Sequence, residues 1–317
     1  MIYESTALLF KKEGMNYMGL KQKKRLFRTP GATFQYAVMF LPMLILYLVF
    51  STYPVIQGIF YSFTDWNGLN SEFNMIGLDN YKTFIHDFVV LKPLQNTFIY
   101  AFWVTIIQNV CALALALALN QKLKTKNLLR TFIFIPVVLS ALIVGYLWSY
   151  LFTEPLAILG DKLGIETMKY NLLGNKSTAL AACIFVTVWK GVGYTMVIYL
   201  AGLQNIDREI QEAALVDGAK GFQKFRYITF PLIAPSFTIN MVLVMEGAFK
   251  QFDLVYALTL GGPGNASELL SLTIYRESFE YYRAGYGATM GVILALIIII
   301  LSLFELGVLR KREDKIG

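Results

Sequence analysis

Residues 212–231 read EAALVDGAKGFQKFRYITFP and form a polar stretch between two long apolar ones. Asn205 and Asp207, just upstream, are residue types that often start helices, and the Ala-rich run after them predicts a short amphipathic helix. Gly218 follows that run, which is typical of a left-handed helix end, and apolar spacing predicts a second helix over 220–229. The stretch therefore predicts an ordered docking surface outside the membrane, with an ordinary interfacial loop as the alternative.

The composition is that of a membrane protein. Hydrophobic residues make up 56% of the chain and charged residues 15%, and the mean hydropathy is +0.54. A helix needs about 20 apolar residues to cross the hydrocarbon core. The sequence has six such runs, and the Ala–Leu alternation at 112–119 lies inside one of them, which favours helix over strand. We therefore expect an all-α membrane protein with six transmembrane helices. The predicted spans are 36–63, 94–120, 129–152, 178–204, 232–257 and 286–309.

The distribution of Lys and Arg predicts the orientation of the chain in the membrane. The N-terminal tail, two loops and the C-terminal tail carry 19 of these residues, against seven in the three loops on the opposite side. Because basic loops are retained in the cytoplasm, we expect both termini to be cytoplasmic, together with the 205–231 loop between spans 4 and 5. The predicted parts are a basic tail (1–33), a transmembrane domain (34–309) and a second basic tail (310–317). Three alternative start residues are Met1, Met15 and Met18.

The sequence gives no support to several kinds of chemistry. His86 is the one histidine of the chain, which excludes a histidine-rich metal site and leaves little basis for Ser–His catalysis. Cys111 and Cys183 lie inside apolar spans, where a cysteine is most simply a small buried hydrophobe. The P-loop pattern Gly-x-x-x-x-Gly-Lys-Ser/Thr does not occur. We expect this chain to be no enzyme and to bind no metal or cofactor.

The 205–231 loop resembles the cytoplasmic coupling loop of binding-protein-dependent ABC importers. That loop has the pattern Glu-Ala-Ala, three residues, Gly, nine residues, Ile-x-Leu-Pro, from which only Phe230 departs here. The matching residues are Glu212, Ala213, Ala214, Gly218, Ile228 and Pro231. The resemblance implies that this coupling segment (205–231) binds a groove on a separate ATPase subunit, which would hold ATP and Mg²⁺. Glu212 would be the pivotal contact and Gly218 the turn.

A second resemblance covers nearly the whole transmembrane domain. Residues 247–264 read GAFKQFDLVYALTLGGPG and are similar to carbohydrate-uptake ABC permeases, in which a Phe-Asp-x-Val-Tyr helix precedes a Gly-Gly-Pro-Gly turn. The chain looks like the first permease of such a pair. The resemblance implies uptake of a sugar, expected to be an oligosaccharide, across a bacterial-type plasma (inner) membrane.

The same resemblance implies several partners. They are a second homologous permease in a heterodimer, two cytoplasmic ATPase subunits and an extracytoplasmic solute-binding protein, although a homodimer of permeases stays open. The basic residues are dispersed over separate segments, which favours contact with membrane lipid and gives no support to nucleic-acid binding.

Polar residues inside two predicted spans are candidates for a substrate pathway, because each is costly in hydrocarbon unless it is paired or faces water. Aromatic rings beside them suit a sugar, whose C–H face packs on rings, although helix packing explains single rings equally well. Glu246 and Lys250 are four residues apart, so mutual neutralisation is the alternative for this pair. The resemblance adds Gly247 to the candidates. The full set is Trp189, Lys190, Tyr194, Glu246, Gly247, Lys250, Gln251 and Asp253.

Other functions stay open at this point. Import of glycerol phosphate or a related polyol phosphate would give Lys190 and Lys250 an anion to bind. An ion-coupled secondary carrier would use Glu246, Lys250, Asp253 and Lys190 as proton relay or ion ligands. A membrane scaffold without transport activity would need no polar patch inside the spans.

Overall fold

The computed structural model describes residues 30–121, 123–153, 155–165 and 171–313. Within these ranges the regular structure is helical, apart from an isolated β-bridge between Thr64 and Met75. The alternative start residues, most of the 1–33 tail and residues 314–317 lie outside the described residues. The helices are α1 Pro30–Tyr47, α2 Tyr53–Tyr61, α3 Asp79–His86, α4 Phe88–Leu119, α5 Lys126–Val138, α6 Ala141–Thr153, α7 Pro155–Leu163, α8 Ala179–Gln204, α9 Arg208–Val216, α10 Gly221–Lys224, α11 Ala234–Phe249, α12 Asp253–Thr259, α13 Leu270–Tyr275 and α14 Ala284–Glu313.

Five helical stretches in the described part of the chain are long and apolar enough to cross a membrane. A sixth is reached if the bent pair Gly221–Leu232 and Ala234–Phe249 is counted as one span. The all-α fold with apolar spans is therefore confirmed, whereas the side on which each terminus lies stays a prediction. The five stretches are Val38–Tyr61, Phe88–Leu119, Ala141–Leu163, Ala179–Gln204 and Ala284–Lys311.

The chain divides into two compact units, 1–58 and 59–317. The described part of the first unit is the apolar helix α1, its π-helical extension Leu48–Thr52 and the start of α2. Its side chains are largely exposed, as Met39 at 80% illustrates.

The packing of α4 against α8 forms much of the core of the second unit. Ala112 and Ala116, four residues apart on α4, are fully buried in one cluster with Met196 and Tyr199 of α8. Small residues on one face let two helices approach closely, which is the usual basis of helix packing in membranes. The Ala–Leu alternation at 112–119 is thus part of a helix, as predicted.

The predicted span 129–152 is two helices rather than one. Helix α5 ends at Val138, Leu139 is extended (φ −70°, ψ 143°), and α6 begins at Ala141. Pro136 has no N–H to donate, which weakens the last turn of α5. The break also leaves carbonyl groups at the end of α5 in need of donors. Continuous hydropathy across 129–152 gave no sign of this break.

The predicted span 232–257 is also broken. Helix α11 ends at Phe249, and α12 starts at Asp253, a position where a carboxylate favours the helix N-terminus. A residue of another helix stabilises the intervening polar break (250–252), because the Ser271 hydroxyl of α13 donates a hydrogen bond to the Gln251 carbonyl. Asp253 is therefore not on the helix that carries Glu246 and that Lys250 ends, contrary to the prediction of one continuous helix.

The Gly-Gly-Pro-Gly turn after α12 is bound to α4. Gly261 has a φ of +80°, the conformation for which glycine suits a tight turn. The Asn96 side-chain amide, 1% exposed, donates hydrogen bonds to the carbonyls of Asn265, Ala266 and Glu268 at 3.0, 3.2 and 3.0 Å. One buried amide group on α4 thereby holds the loop that connects α12 to α13.

Buried carboxylates lie in the π-helical extension of α13 (Arg276–Glu280) and in the loop before α13. Glu268 is 3% exposed and accepts a hydrogen bond of 2.7 Å from Arg276. Glu277 is 5% exposed and pairs with Arg283 at 2.5 Å. Burial raises the pKa of Glu277 above its usual 4.5, although Arg283 opposes this shift. Its ionised form is therefore stabilised less in the folded protein than in the unfolded chain.

We expect the Glu277→Gln variant to gain relative stability as the pH rises. A carboxyl group whose pKa is raised on folding stabilises the fold below its unfolded pKa, and loses this contribution as the pH rises through the folded pKa. The melting temperature of Glu277→Gln minus that of the wild type, measured in detergent, should therefore increase as the pH is raised above 4.5. Glu280→Gln, whose parent side chain is 45% exposed, is the control. A difference that is constant with pH would contradict this assignment.

The start of α14 lies against the backbone of Thr64 and Trp66 at Gly285. A Cβ atom at this position would lie 2.2 Å from the Thr64 carbonyl oxygen, so backbone would have to move. We expect Gly285→Ala to destabilise the protein by about 1–3 kcal/mol, as overpacking generally does. Gly291→Ala on the same helix meets no atom within 4 Å and is the matched control. Equal melting temperatures for the two purified variants would refute the prediction.

Candidate functional site

The first helix of the coupling segment is capped at both ends. The Asp207 side chain accepts a hydrogen bond from the Glu209 amide at 3.2 Å and so caps the start of α9. Gly218 has a φ of +82° at the other end. The Gly218 and Ala219 amides donate to the carbonyls of Leu215 and Ala214 at 3.1 and 2.9 Å. This pair of bonds is a Schellman motif, as expected from glycine at this position.

A second helical stretch restarts at once after the turn. Lys220 is extended, and α10 continues through a π-helical turn (Phe225–Thr229) into a last turn at Phe230–Leu232. The Phe230 amide donates to the Phe225 carbonyl, five residues back, and Pro231 has no amide to donate. The helix–turn–helix predicted for 205–231 is therefore present, and its second helix extends slightly beyond the predicted end.

The coupling segment has an exposed face with charged and apolar groups. Glu212 and Ala213 are exposed, whereas Ala214 is 5% exposed and packs inward. The matched residues near the membrane, Ile228 and Pro231, are half-buried. Large apolar side chains are also exposed on this segment: Val216 at 88%, Phe222 at 76% and Tyr227 at 74%. Exposed apolar groups rimmed by charges are typical of protein interaction sites.

A chain of aromatic contacts connects the coupling segment to α11. Phe222 contacts Phe225, Phe225 contacts Phe230, and Phe230 contacts Phe237 of α11, with ring centroids 6.1, 5.6 and 5.5 Å apart. The sequence pattern indicated two of these rings as a helix face but did not predict the connection. The four rings therefore form a continuous line of contacts from the exposed Phe222 to α11.

The junction between the coupling segment and α11 is bent and fully buried. The helical stretch Gly221–Leu232 meets α11 at 72°, and Ile233 at the bend is 0% exposed. Just beyond the bend, Ser236 lies so close to Gly202 of α8 that a Cβ there would be 2.2 Å from its hydroxyl oxygen. Just beyond the coupling segment, α11 therefore packs closely against α8.

Buried polar side chains join the three central helices. Asn240 of α11 donates to the Thr195 carbonyl of α8 at 3.2 Å, and Gln108 of α4 donates to the Thr195 hydroxyl at 2.8 Å. The Tyr199 hydroxyl donates to Asn109 of α4 at 2.6 Å. Hydropathy alone did not predict this network, although the amide side chains inside uncharged runs were a usable signal. Such bonds fix the register of neighbouring membrane helices.

The polar break (250–252) lies at the end of α11. Lys250 and Glu246, one turn apart, form an ion pair in which the side chains are 58% and 37% exposed. The neutralisation anticipated for this pair is therefore present. Both groups nevertheless remain open on one side, and Gly247 between them has no atom within 4 Å of a Cβ position. The other two candidates near the break differ, since Gln251 is half-buried and Asp253 is exposed.

The candidates on α8 have different surroundings. Trp189 packs edge-to-face on Trp148 at 5.3 Å within an aromatic cluster, so its ring has a structural role. The Lys190 ammonium donates to the Val137 carbonyl at 3.4 Å, at the C-terminal end of α5, where a cation is favourable. Tyr194 is 51% exposed and is the one candidate on α8 with a largely free ring. Trp189 and Lys190 thus stabilise the helix packing around the break between α5 and α6.

Among the described residues, no cluster of three or more His, Cys, Asp or Glu side chains could hold a metal ion. The described chain contains two kinds of candidate site. One is the exposed coupling segment, and the other is the partly exposed pair Glu246 and Lys250 near the end of α11, called here the open polar group.

The family described as "Binding-protein-dependent transport system inner membrane component" matches residues 108–313. The matched region includes the coupling segment, the polar break and the α14 helix.

Curated relatives resemble nearly the whole chain. The multiple sugar-binding transport system permease protein MsmF of Streptococcus mutans serotype c is 36% identical over 85% of this chain and 93% of that protein. The probable starch degradation products transport system permease protein AmyD of Thermoanaerobacterium thermosulfurigenes is 34% identical, over 88% and 94%. The sn-glycerol-3-phosphate transport system permease protein UgpA of Agrobacterium fabrum is 29% identical, over 86% and 93%.

A solved structure shares the fold. It is that of a bacterial alginate ABC transporter in complex with an alginate pentasaccharide-bound periplasmic protein, and the similar chain covers 92% of this chain at a TM-score of 0.77 and 21% identity. The apolar helices and the family match identify a multi-pass membrane protein. The resemblance to ABC importers is confirmed: this chain belongs to the family of inner membrane components of binding-protein-dependent transport systems.

Proposed function

We propose that this chain is the permease subunit of an ATP-driven importer that takes up an oligosaccharide delivered by an extracytoplasmic solute-binding protein. The coupling segment would dock on an ATPase subunit on the cytoplasmic side of a bacterial plasma membrane. A second permease would complete the translocation pathway. The observation that carries the proposal is the capped, exposed coupling segment packed through aromatic rings onto α11.

The proposed mechanism is alternating access driven from the coupling segment. ATP binding would close the two ATPase subunits and move the exposed face around Glu212 and Gly218. The aromatic chain would pass this displacement to α11, which is a separate helix with a bend at Ile233 and a break at 250–252. Such a helix can tilt as a unit, because its two ends absorb the change in backbone angles. Its tilt would change access to the open polar group at its end.

Contacts of the two intramembrane lysines favour a neutral sugar over a phosphate ester. Lys190 already donates to a helix-terminal carbonyl, and Lys250 already pairs with Glu246. An anionic substrate would have to displace one of these partners and would meet the Glu246 carboxylate beside Lys250. A sugar instead needs hydroxyl partners and a free ring, and Lys250, Glu246 and the exposed Tyr194 provide both kinds of contact. MsmF and AmyD carry names that agree with this substrate class.

Reconstituted transport tests the proposal. The chain would be purified with the permease, ATPase and solute-binding protein encoded beside it, and placed in liposomes with ATP inside or outside. We expect uptake of labelled malto- or arabino-oligosaccharides only when ATPase, ATP and binding protein are all present. Uptake of labelled glycerol 3-phosphate but of no sugar would support the phosphate alternative. Uptake by this chain alone, driven by an ion gradient without ATP, would end the proposal.

A further inference from the structure

A cleft of about 550 Å³ lies between the coupling segment and the ends of two spans. Its volume is within the roughly 300–1,000 Å³ range of small-ligand sites. Leu117 and Asn120 contribute from the end of α4, and Leu203 contributes from the last turn of α8. The remaining wall is formed by the coupling segment, mainly by its second helical stretch together with Ile206 and with Gln211 of α9.

The lining combines apolar and polar side chains. Leu117 lies almost one helical turn deeper in its span than Asn120, and Leu203 lies in the last turn of α8. The coupling segment adds the polar Thr229 and Lys224 and the apolar Phe222 and Phe225. A molecule that fits this lining has both an apolar and a polar part.

The polar part of the cleft is positively charged. The coupling segment has equal numbers of acidic and basic side chains, four of each. Among the described residues that line the cleft, however, the half-buried Lys224 alone is charged. Gln121 also lines the cleft, and the exposed Lys124 and Lys126 follow it in sequence, before and at the start of α5. The lining therefore favours an anion.

We propose that this cleft binds an anionic phospholipid, with its phosphate at Lys224 and its acyl chains against the ends of α4 and α8. The cleft lies where two apolar spans end, which is the depth of lipid headgroups. Basic pockets at the cytoplasmic ends of membrane helices are suited to anionic headgroups, and this part of the inference rests on the proposed cytoplasmic position of the coupling segment.

The matched coupling residues Glu212, Ala213 and Gly218 do not line the cleft, although Gln211 of α9 and the exposed Phe222 do. A lipid bound here would contact α4, α8 and the coupling segment together. It would therefore stabilise one position of the coupling segment and make transport sensitive to the anionic lipid content of the membrane.

The test is direct lipid binding to the purified permease complex in detergent. Native mass spectrometry would measure binding of phosphatidylglycerol and of phosphatidylcholine to the wild type and to Lys224→Gln, Lys224→Arg and Lys220→Gln. Lys220 is the matched control, because it is an exposed lysine of the same segment outside the cleft lining. We expect Lys224→Gln to weaken phosphatidylglycerol binding about fivefold or more, a change of about 1 kcal/mol. Lys224→Arg and Lys220→Gln should bind it like the wild type.

Three results would overturn the proposal. They are equal binding of phosphatidylglycerol by the wild type and Lys224→Gln, phosphatidylcholine binding as tight as that of phosphatidylglycerol, and full competition by free glycerol phosphate at similar concentration. The last result would assign the cleft to a soluble phosphate. Because the measurement records lipid binding without uptake, its failure is distinguishable from failure of the transport function.

Discussion

Replacing Gly218 with valine is expected to reduce uptake by about tenfold or more while the protein still inserts in the membrane. Gly218 has a φ of +82°, and a side chain there meets no atom within 4 Å, so conformation rather than space is the obstacle. The left-handed conformation costs an ordinary residue about 1–2 kcal/mol, and more with a branched Cβ. Valine should therefore unwind the Schellman turn and displace both helices of the coupling segment from the ATPase.

Two further substitutions at Gly218 distinguish the effect of backbone conformation on uptake from the effect of an added charge. Asparagine tolerates the left-handed region, so Gly218→Asn should retain most of the uptake. Aspartate tolerates it too, but adds a negative charge beside Asp217, and Gly218→Asp should abolish uptake by weakening ATPase docking. The readouts are uptake, co-purification of the ATPase and the amount of permease in the membrane. Wild-type uptake by Gly218→Val would show that the turn is not needed for coupling.

Substitutions in the open polar group at the end of α11 are expected to have the second large effect, on the affinity for the transported sugar. We expect Lys250→Ala to raise the half-saturating sugar concentration by about tenfold, because a hydrogen bond to a charged group is worth about 1.5–3 kcal/mol. The exposed fractions of Lys250 and Glu246, 58% and 37%, leave both available to a substrate. Gln251→Ala should also change sugar dependence more than it changes ATPase assembly. Sugar-dependent uptake and ATPase co-purification are measured together.

The double variant Glu246→Ala with Lys250→Ala distinguishes substrate contact from mutual neutralisation. If the two charges only neutralise each other, the single variant leaves one unpaired charge and loses uptake, whereas the double variant has no unpaired charge and regains it. If they bind the sugar, the double variant stays defective, and this is the result that we expect. Recovery of wild-type sugar dependence in the double variant would return the pair to a structural role.

Local chemistry made the coupling segment predictable from sequence. An acidic residue before an Ala-rich run and a glycine after it specify caps that depend only on neighbouring residues, and the structure has both. The same holds for the apolar spans, since length and hydropathy determine them.

The breaks at Leu139 and at 250–252 were missed because distant partners stabilise them. Lys190 donates to the end of α5, and Ser271 donates to the Gln251 carbonyl, across 53 and 20 residues of sequence. Hydropathy averages over such positions and cannot detect a carbonyl group that finds its donor elsewhere. The contacts of Lys190 and Trp189 with neighbouring helices could not be predicted for the same reason, and their place in the pathway stays a prediction.

Site-specific photo-cross-linking tests the central claim, that the coupling segment binds the ATPase. A photoreactive amino acid would replace Val216, which is 88% exposed on α9, and in a control it would replace Phe304, which is 71% exposed on α14. In the assembled, transporting complex we expect irradiation to join the ATPase subunit to position 216 and not to position 304. Efficient transport with no ATPase cross-link from position 216 would contradict the account.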